Sequence, residues 1–210
     1  MACRPGRCLS IWRGCASEAR NRSASFRGGS ERRFARTEGL ELLMGEARFV
    51  DTHLLDVALT TGELQRVSAD LIFINSGTRA FTPPLPGLDS VSALDSTSIM
   101  ELDSVPEHLL VLGGGYIGLE FGQMFRRFGS QVTIVQRGPQ LLGREDPDIA
   151  LAVAEIVGED GITVLLESEA LAVAPTDRGV QLSVRTPQGE QQIVGSHMLI
   201  AVGRAPNTDA

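Results

Sequence analysis

Lysine is absent from this chain: all 19 basic residues are arginines. Every mechanism that needs a lysine is therefore closed. Cysteine is almost absent. Cys3, Cys8 and Cys15 all lie near the start, so the remaining body holds neither a disulfide nor a thiolate metal site. Tryptophan and tyrosine occur once each, as Trp12 and Tyr116. Histidine occurs three times, at widely spaced positions 53, 108 and 197, which suits structural roles better than a metal centre. No apolar run approaches the ~18 residues of a membrane span, so no membrane partner is expected. No apolar core of a secretory signal is present either. A cytoplasmic location is the expectation.

Charge is divided unevenly. Residues 1–36 hold nine Arg and two Glu, whereas residues 37–210 hold ten Arg and 24 acids. The acidic body argues against nucleic acid as a partner. Residues 1–23 are rich in Arg and Ser and match no domain pattern. They read as a disordered tail, a start-site artefact or a transit peptide. Cys3 and Cys8 share the C-x4-C spacing of a redox dithiol, but lack the strand-turn-helix that would activate one thiol.

From Phe26 to Arg36 the pattern is the polar, basic end of a helix. "LELLMGEARFVD" supplies one or two strands. Residues 53–70 read as a hairpin turning at Thr60-Thr61-Gly62. "LIFINSG" predicts a short buried parallel strand ending at Gly77. "TPPLPG" is a connector, because proline fixes backbone angles and removes donors. A short helix follows in "DSTSIMELD", with Asp95 or Ser96 as N-cap.

The chemistry concentrates in "HLLVLGGGYIGLEFGQMFRRFGSQVTIVQR". Leu109–Leu112 suit a buried strand. Gly113, Gly115 and Gly118 form G-x-G-x-x-G. Ile117, Phe121, Met124 and Phe128 recur at helical spacing over 116–128. Val132–Val135 form the next strand. The first glycine allows a tight turn, the second leaves the backbone bare toward a pyrophosphate, and the third lets helix and strand pack closely. The helix N-terminus adds free N–H groups and the positive end of its dipole. Without Gly-Lys-Ser/Thr the turn is not a P-loop, and without lysine there is no Tyr-x-x-x-Lys dehydrogenase pair. Where an acid would accept the adenosine ribose hydroxyls stands Gln136, followed by Arg137. Glutamine still hydrogen-bonds a ribose, and Arg137 suits a 2′-phosphate, so NADPH is favoured over NADH.

Beyond it, "EDPDIALAVAEIV" predicts a helix capped by Asp146 with Pro147 in its first turn. "ITVLLE" predicts a strand. Residues 169–195 predict three antiparallel strands with turns at 177–179 and 187–189. "HMLIAVG" predicts a last strand ending at Gly203.

In this order, "LLVLGGGYIGLEFGQMFRRFGSQVTIVQRG", "REDPDIA" and "LIAVGRAPNT" resemble the nucleotide domain of the pyridine nucleotide-disulfide oxidoreductases, in the manner of mercuric reductases and dihydrolipoamide dehydrogenases. "LIFINSGTRAFTPPLPGLD" resembles the segment that precedes it. The implied fold class is α/β. A Rossmann-like NAD(P)-binding domain over 104–210, with a parallel sheet and an antiparallel β-meander, follows an incomplete piece of an FAD-binding domain over 24–103. The resemblance implies NAD(P)H and FAD as cofactors. It places NAD(P)H on Gly113, Gly114, Gly115, Tyr116, Ile117, Gly118, Leu119 and Glu120, with Tyr116 as an aromatic lid and Glu120 near the nicotinamide. Ala170 and Gly203 are implied nucleotide contacts, and Ser76, Gly77 and Thr78 implied flavin contacts. The family's FAD fingerprint, redox cysteine pair and homodimerising interface domain are not matched. The expected function is that of a fragment of a flavin-dependent oxidoreductase transferring hydride from NAD(P)H to FAD, weak or inactive in this chain alone. The alternative is a non-catalytic NAD(P)H-binding module acting with another chain. Residues 104–210 are expected to be the more soluble piece, because the strands of 37–80 would be left with unpaired edges.

Overall fold

The computed structural model describes residues 22–209. They divide into two compact units, parting between Gly77 and Thr78. The Cys-x4-Cys pair, Cys15 and Trp12 lie outside the described residues.

In the first unit a helix covers residues 22–36 (α1), as the Phe26–Arg36 pattern requires, and none of its residues is buried. Strands β1 (Gly45–Asp51), β2 (Leu54–Leu59) and β3 (Leu64–Ser68) form an antiparallel meander. The β2–β3 turn falls at Thr60–Gly62: the Gly62 N–H donates to the Leu59 carbonyl at 2.9 Å, and Gly62 adopts φ 92°. Arg66 clasps Asp56 across the two strands through two bonds of 2.7 and 2.9 Å. Among the described residues of this unit, only Val57 is buried.

The expectation for "LIFINSG" is corrected. Residues 71–77 form no strand, and Leu71, Phe73 and Ile74 are 78%, 89% and 71% exposed. A parallel strand exists only where a neighbour takes its N–H and C=O groups. Among the described residues no strand pairs with this run.

The second unit is built on a parallel sheet of four strands, in the order β11-β5-β6-β7. These are β5 (His108–Leu112), β6 (Gln131–Val135), β7 (Thr163–Leu165) and β11 (His197–Ile200). Helix α2 (Tyr116–Phe128) joins β5 to β6, and α3 (Pro147–Glu159) joins β6 to β7. Strands β8 (Glu169–Thr176), β9 (Gly179–Thr186) and β10 (Gly189–Gly195) make the expected meander. Short strands β4 (Thr78–Ala80) and β12 (Arg204–Pro206) pair antiparallel.

Side-chain alternation explains why the β5 sequence is apolar throughout. Leu109 and Val111 join the core formed with Leu119 and Phe125 of α2. Leu110 and Leu112 join a second core with Val173, Leu182 and Val184 of the meander. Successive residues point to opposite faces of a strand, so both faces are covered. Residues 78–103, grouped by sequence with the preceding segment, contribute to both cores: Leu88 to the second and Ile99, fully buried, to the first.

Three local expectations are refined. The "DSTSIMELD" helix is a single 3-10 turn, Ser98–Glu101, and Asp95 Oδ1 accepts the Thr97 and Ser98 N–H groups at 2.8 and 2.7 Å. Asp146 occupies the N-cap position of α3, but its side chain makes no capping bond. The last parallel strand stops at Ile200, three residues before Gly203.

Candidate functional site

Strand β5 ends at Leu112, and the chain turns through Gly113, Gly114 and Gly115 into α2. The three fingerprint glycines are needed for three different reasons. Gly113 adopts φ 108°, and a Cβ there would overlap the Ala201 carbonyl just after β11. Gly118 is buried, and a Cβ would overlap the Gly113 carbonyl, so helix and turn approach to backbone contact. Gly115 differs from both: among the described residues, its chain neighbours aside, no atom lies within 4 Å of its Cβ position. The described residues therefore leave the space in front of Gly115 open. Among the described residues no side chain caps α2 there. The first N–H groups of a helix have no intrahelical acceptor, and with the dipole they favour an anion.

Gly114, between them, is held on every side. Its N–H donates to Gln136 Oε1 at 3.0 Å and its carbonyl accepts the Leu142 N–H at 2.9 Å. A Cβ would meet Leu141 Cδ2 at 2.5 Å. Spacing in the sequence does not reveal this requirement, because the G-x-G pattern leaves the middle residue open.

The remaining expected residues lie as follows. Ile117 is half-buried and Leu119 buried in the helix-side core. Tyr116 is 58% exposed, and its hydroxyl donates to the Glu145 carboxylate in the loop before α3. That bond raises the Tyr116 pKa. Glu145 was not anticipated; an acid two residues before a helix proline carries no signal of its own. Glu120 is exposed on α2. Gln136 is half-buried, with Oε1 on Gly114 and Nε2 donating to the Gln140 carbonyl at 3.1 Å. Arg137 is exposed and makes no ion pair or hydrogen bond with the described residues. Ala170, in β8, packs against the meander-side core. Gly203 is exposed with φ 137°, and its carbonyl accepts the Phe81 N–H. Thr78 Oγ1 and its carbonyl accept bonds from Arg204 at 2.6 and 2.7 Å. Ser76 and Gly77 are exposed at the end of the first unit.

The histidines serve the frame. His108 Nε2 contacts Thr133 Oγ1 at 2.9 Å, and His197 Nδ1 contacts Ser196 Oγ at 3.1 Å. Both begin parallel strands, at the end opposite the glycine turn. Among the described residues no cluster of acids, histidines or cysteines could hold a metal.

A glycine turn of this construction, set at the carboxyl end of a parallel strand, occurs in many nucleotide-binding proteins. Comparison with known proteins narrows the choice. The family model described as pyridine nucleotide-disulphide oxidoreductase matches residues 7–210. The chain belongs to that family. Its relatives among the pyridine nucleotide-disulphide oxidoreductases include a mercuric reductase of Streptomyces lividans, 42% identical over 171 residues, covering 81% of this chain and 36% of the relative. The probable pyridine nucleotide-disulfide oxidoreductase RclA of Escherichia coli is 36% identical over 170 residues, covering 80% and 37%. In solved structure, the HOCl-induced flavoprotein disulfide reductase RclA of Escherichia coli matches with a TM-score of 0.79 and 30% identity, over 96% of this chain and 46% of that one. The chain thus spans between a third and a half of the length of these relatives. As in this flavin-dependent family, the fold is mixed α/β with a parallel sheet. No helix among the described residues is long and apolar enough to cross a membrane.

Proposed function

We propose that this chain binds NAD(P)H at the glycine turn and serves hydride transfer from NAD(P)H to FAD. The observation that carries the reading is the open face of Gly115 at an uncapped helix N-terminus, with Gly113 and Gly118 packed against backbone behind it. A cradle in which two glycines are filled by the protein and one is left bare fits a pyrophosphate. When bound, NAD(P)H supplies the hydride and FAD accepts it.

The chain's own part is binding and orientation. Gly113, Gly114 and Gly115 shape the cradle, and the first turn of α2 through Gly118 offers its N–H groups. Ile117 and Leu119 anchor that turn in place. Tyr116 and Glu120, both exposed on α2, would lie toward the nicotinamide half. Ala170 and Gly203 are further proposed nucleotide contacts, and Ser76, Gly77 and Thr78 proposed flavin contacts. The exposed guanidinium of Arg137, without a partner among the described residues, suits the 2′-phosphate of NADPH. Replacing Arg137 with alanine is expected to weaken NADPH about tenfold, the scale of one lost charged contact, and to leave NADH within about twofold. Fluorescence titration of both nucleotides checks this.

A second reading, a nucleotide module working with another chain, is favoured by the exposed apolar side chains of Leu71, Phe73 and Ile74. One experiment separates the two. The purified protein is given FAD and then NADPH under anaerobic conditions. Bleaching of the flavin absorbance supports hydride transfer within this chain. Nucleotide binding without bleaching supports the module.

A further inference from the structure

Gln136 stands where a ribose-reading side chain is expected, yet its hydrogen bonds are made inside the protein. Its backbone N–H donates to the Leu165 carbonyl at 2.8 Å, and its carbonyl accepts the Ser168 N–H at 3.0 Å, which fixes the residue at the end of β6. Its side-chain oxygen takes the Gly114 N–H and its side-chain nitrogen gives to the Gln140 carbonyl. The amide orientation follows from the partners. Gly114 offers only a donor and Gln140 only an acceptor, so a single orientation satisfies both. Turning the side chain toward a ribose would break both bonds. It would also leave the N–H of buried Gly114 without an acceptor, which costs free energy.

Two peptide planes meet at Gly114, and this arrangement fixes both. No peptide bond here is cis, so N–H and C=O point opposite ways in each plane. Gln136 holds the N–H of the Gly113–Gly114 peptide, which directs the Gly113 carbonyl to the close approach with Gly118. The Leu142 N–H holds the carbonyl of the Gly114–Gly115 peptide, which turns the Gly115 N–H away from Leu142. Leu142 itself adopts φ 48°, an unfavourable left-handed conformation for a branched side chain, and its carbonyl accepts the Glu145 N–H at 2.8 Å. The loop 138–145 and the glycine turn are thus fastened together, and Gln136 bonds to both.

We infer that Gln136 is a positioning residue for the nucleotide turn and not a reader of the adenosine ribose. Its bond to the Gly114 N–H sets the direction of the Gly113–Gly114 peptide, in the turn that would hold the pyrophosphate. Arg137, exposed beside it, is then the one of this pair that would meet the 2′ position. An acid at position 136 could accept from Gly114 but could not donate to Gln140, and its second oxygen would face a carbonyl. Glutamine satisfies both partners. This inference rests on the reading of the glycine turn as the NAD(P)H site.

The test uses the full chain with Gln136→Met, which keeps the length and loses both bonds, and Gln136→Glu, which keeps an acceptor for Gly114. Exchange of the Gly114 amide is followed in the free protein, and Kd is measured for NADH and NADPH. In Gln136→Met, Gly114 is expected to exchange at least about tenfold faster, as for an amide that loses its bond. Both Kd values are expected to rise about tenfold, with their ratio unchanged within about twofold. Gln136→Glu is expected to keep Gly114 protected and to bind NADH more tightly than Gln136→Met does. Wild-type affinity for both nucleotides in a folded Gln136→Met protein overturns the inference, because the bonds would then serve stability alone. A shift of the NADPH-to-NADH ratio beyond about threefold in Gln136→Met also overturns it, since that marks a ribose reader. If Gln136→Met does not fold, Gln136→Glu decides: fast Gly114 exchange with unchanged NADH affinity overturns the inference. Wild-type protein that binds neither nucleotide overturns the NAD(P)H reading itself, and this inference with it.

Discussion

Among single residues, the fingerprint glycines make opposite demands, and mutation separates them. Gly115→Ala adds a methyl group where the described residues leave open space, at φ −85°, which any residue adopts. Its stability is expected to change by less than about 1 kcal/mol, while NAD(P)H binding weakens at least about tenfold, since the methyl would lie between backbone and pyrophosphate. Gly118→Ala drives a methyl group into the Gly113 carbonyl. It is expected to cost about 1–3 kcal/mol of stability, the usual range for overpacking. Urea denaturation and nucleotide titration on both variants check the contrast. The glycine spacing was legible in the sequence. The cause of the middle Gly114 was not, because the side chains that meet it, Leu141 and Gln136, come from beyond α2 and β6.

The parallel strands, as elements, could be read because each face meets its own core, and the resulting apolar runs are short and bounded. The two histidines that begin β5 and β11 carry a consequence for pH. Burial lowers the pKa of His108 and of His197 below the ordinary 6.5. Below the folded pKa both states hold the proton; above 6.5 neither does. Between these limits the unfolded chain binds more protons, so folding stability falls as pH drops through about 6.5. Urea midpoints at pH 7.5 and 5.5 are expected to show this loss, and His108→Gln is expected to reduce it. "LIFINSG" shows the reverse lesson. It has the composition of a buried parallel strand, but composition cannot supply the neighbouring strand that such a strand needs.

For the molecule as a whole, the decisive boundary lies at Gly77–Thr78. Residues 78–103 carry Leu88 and Ile99 into the two cores of the second unit. A piece that began at residue 104 would lack both side chains and leave their places empty, a cavity cost of the order of 2–5 kcal/mol for each large apolar residue. Limited proteolysis is expected to protect a fragment that begins near residue 78, and a fragment cut at 104 is expected to be degraded. A protected fragment starting near 104 would contradict this. The β-α-β order, the glycine turn and the meander could all be read from the residues in a line, because they depend on local periodicity and on groups close together along the chain. Three features could not: the inward bonds of Gln136 to Gly114 and Gln140, the space that the described residues leave open at Gly115 alone of the fingerprint glycines, and the place of Ile99 in the second unit. Each depends on which distant groups a fold brings within bonding distance, and no local pattern encodes that.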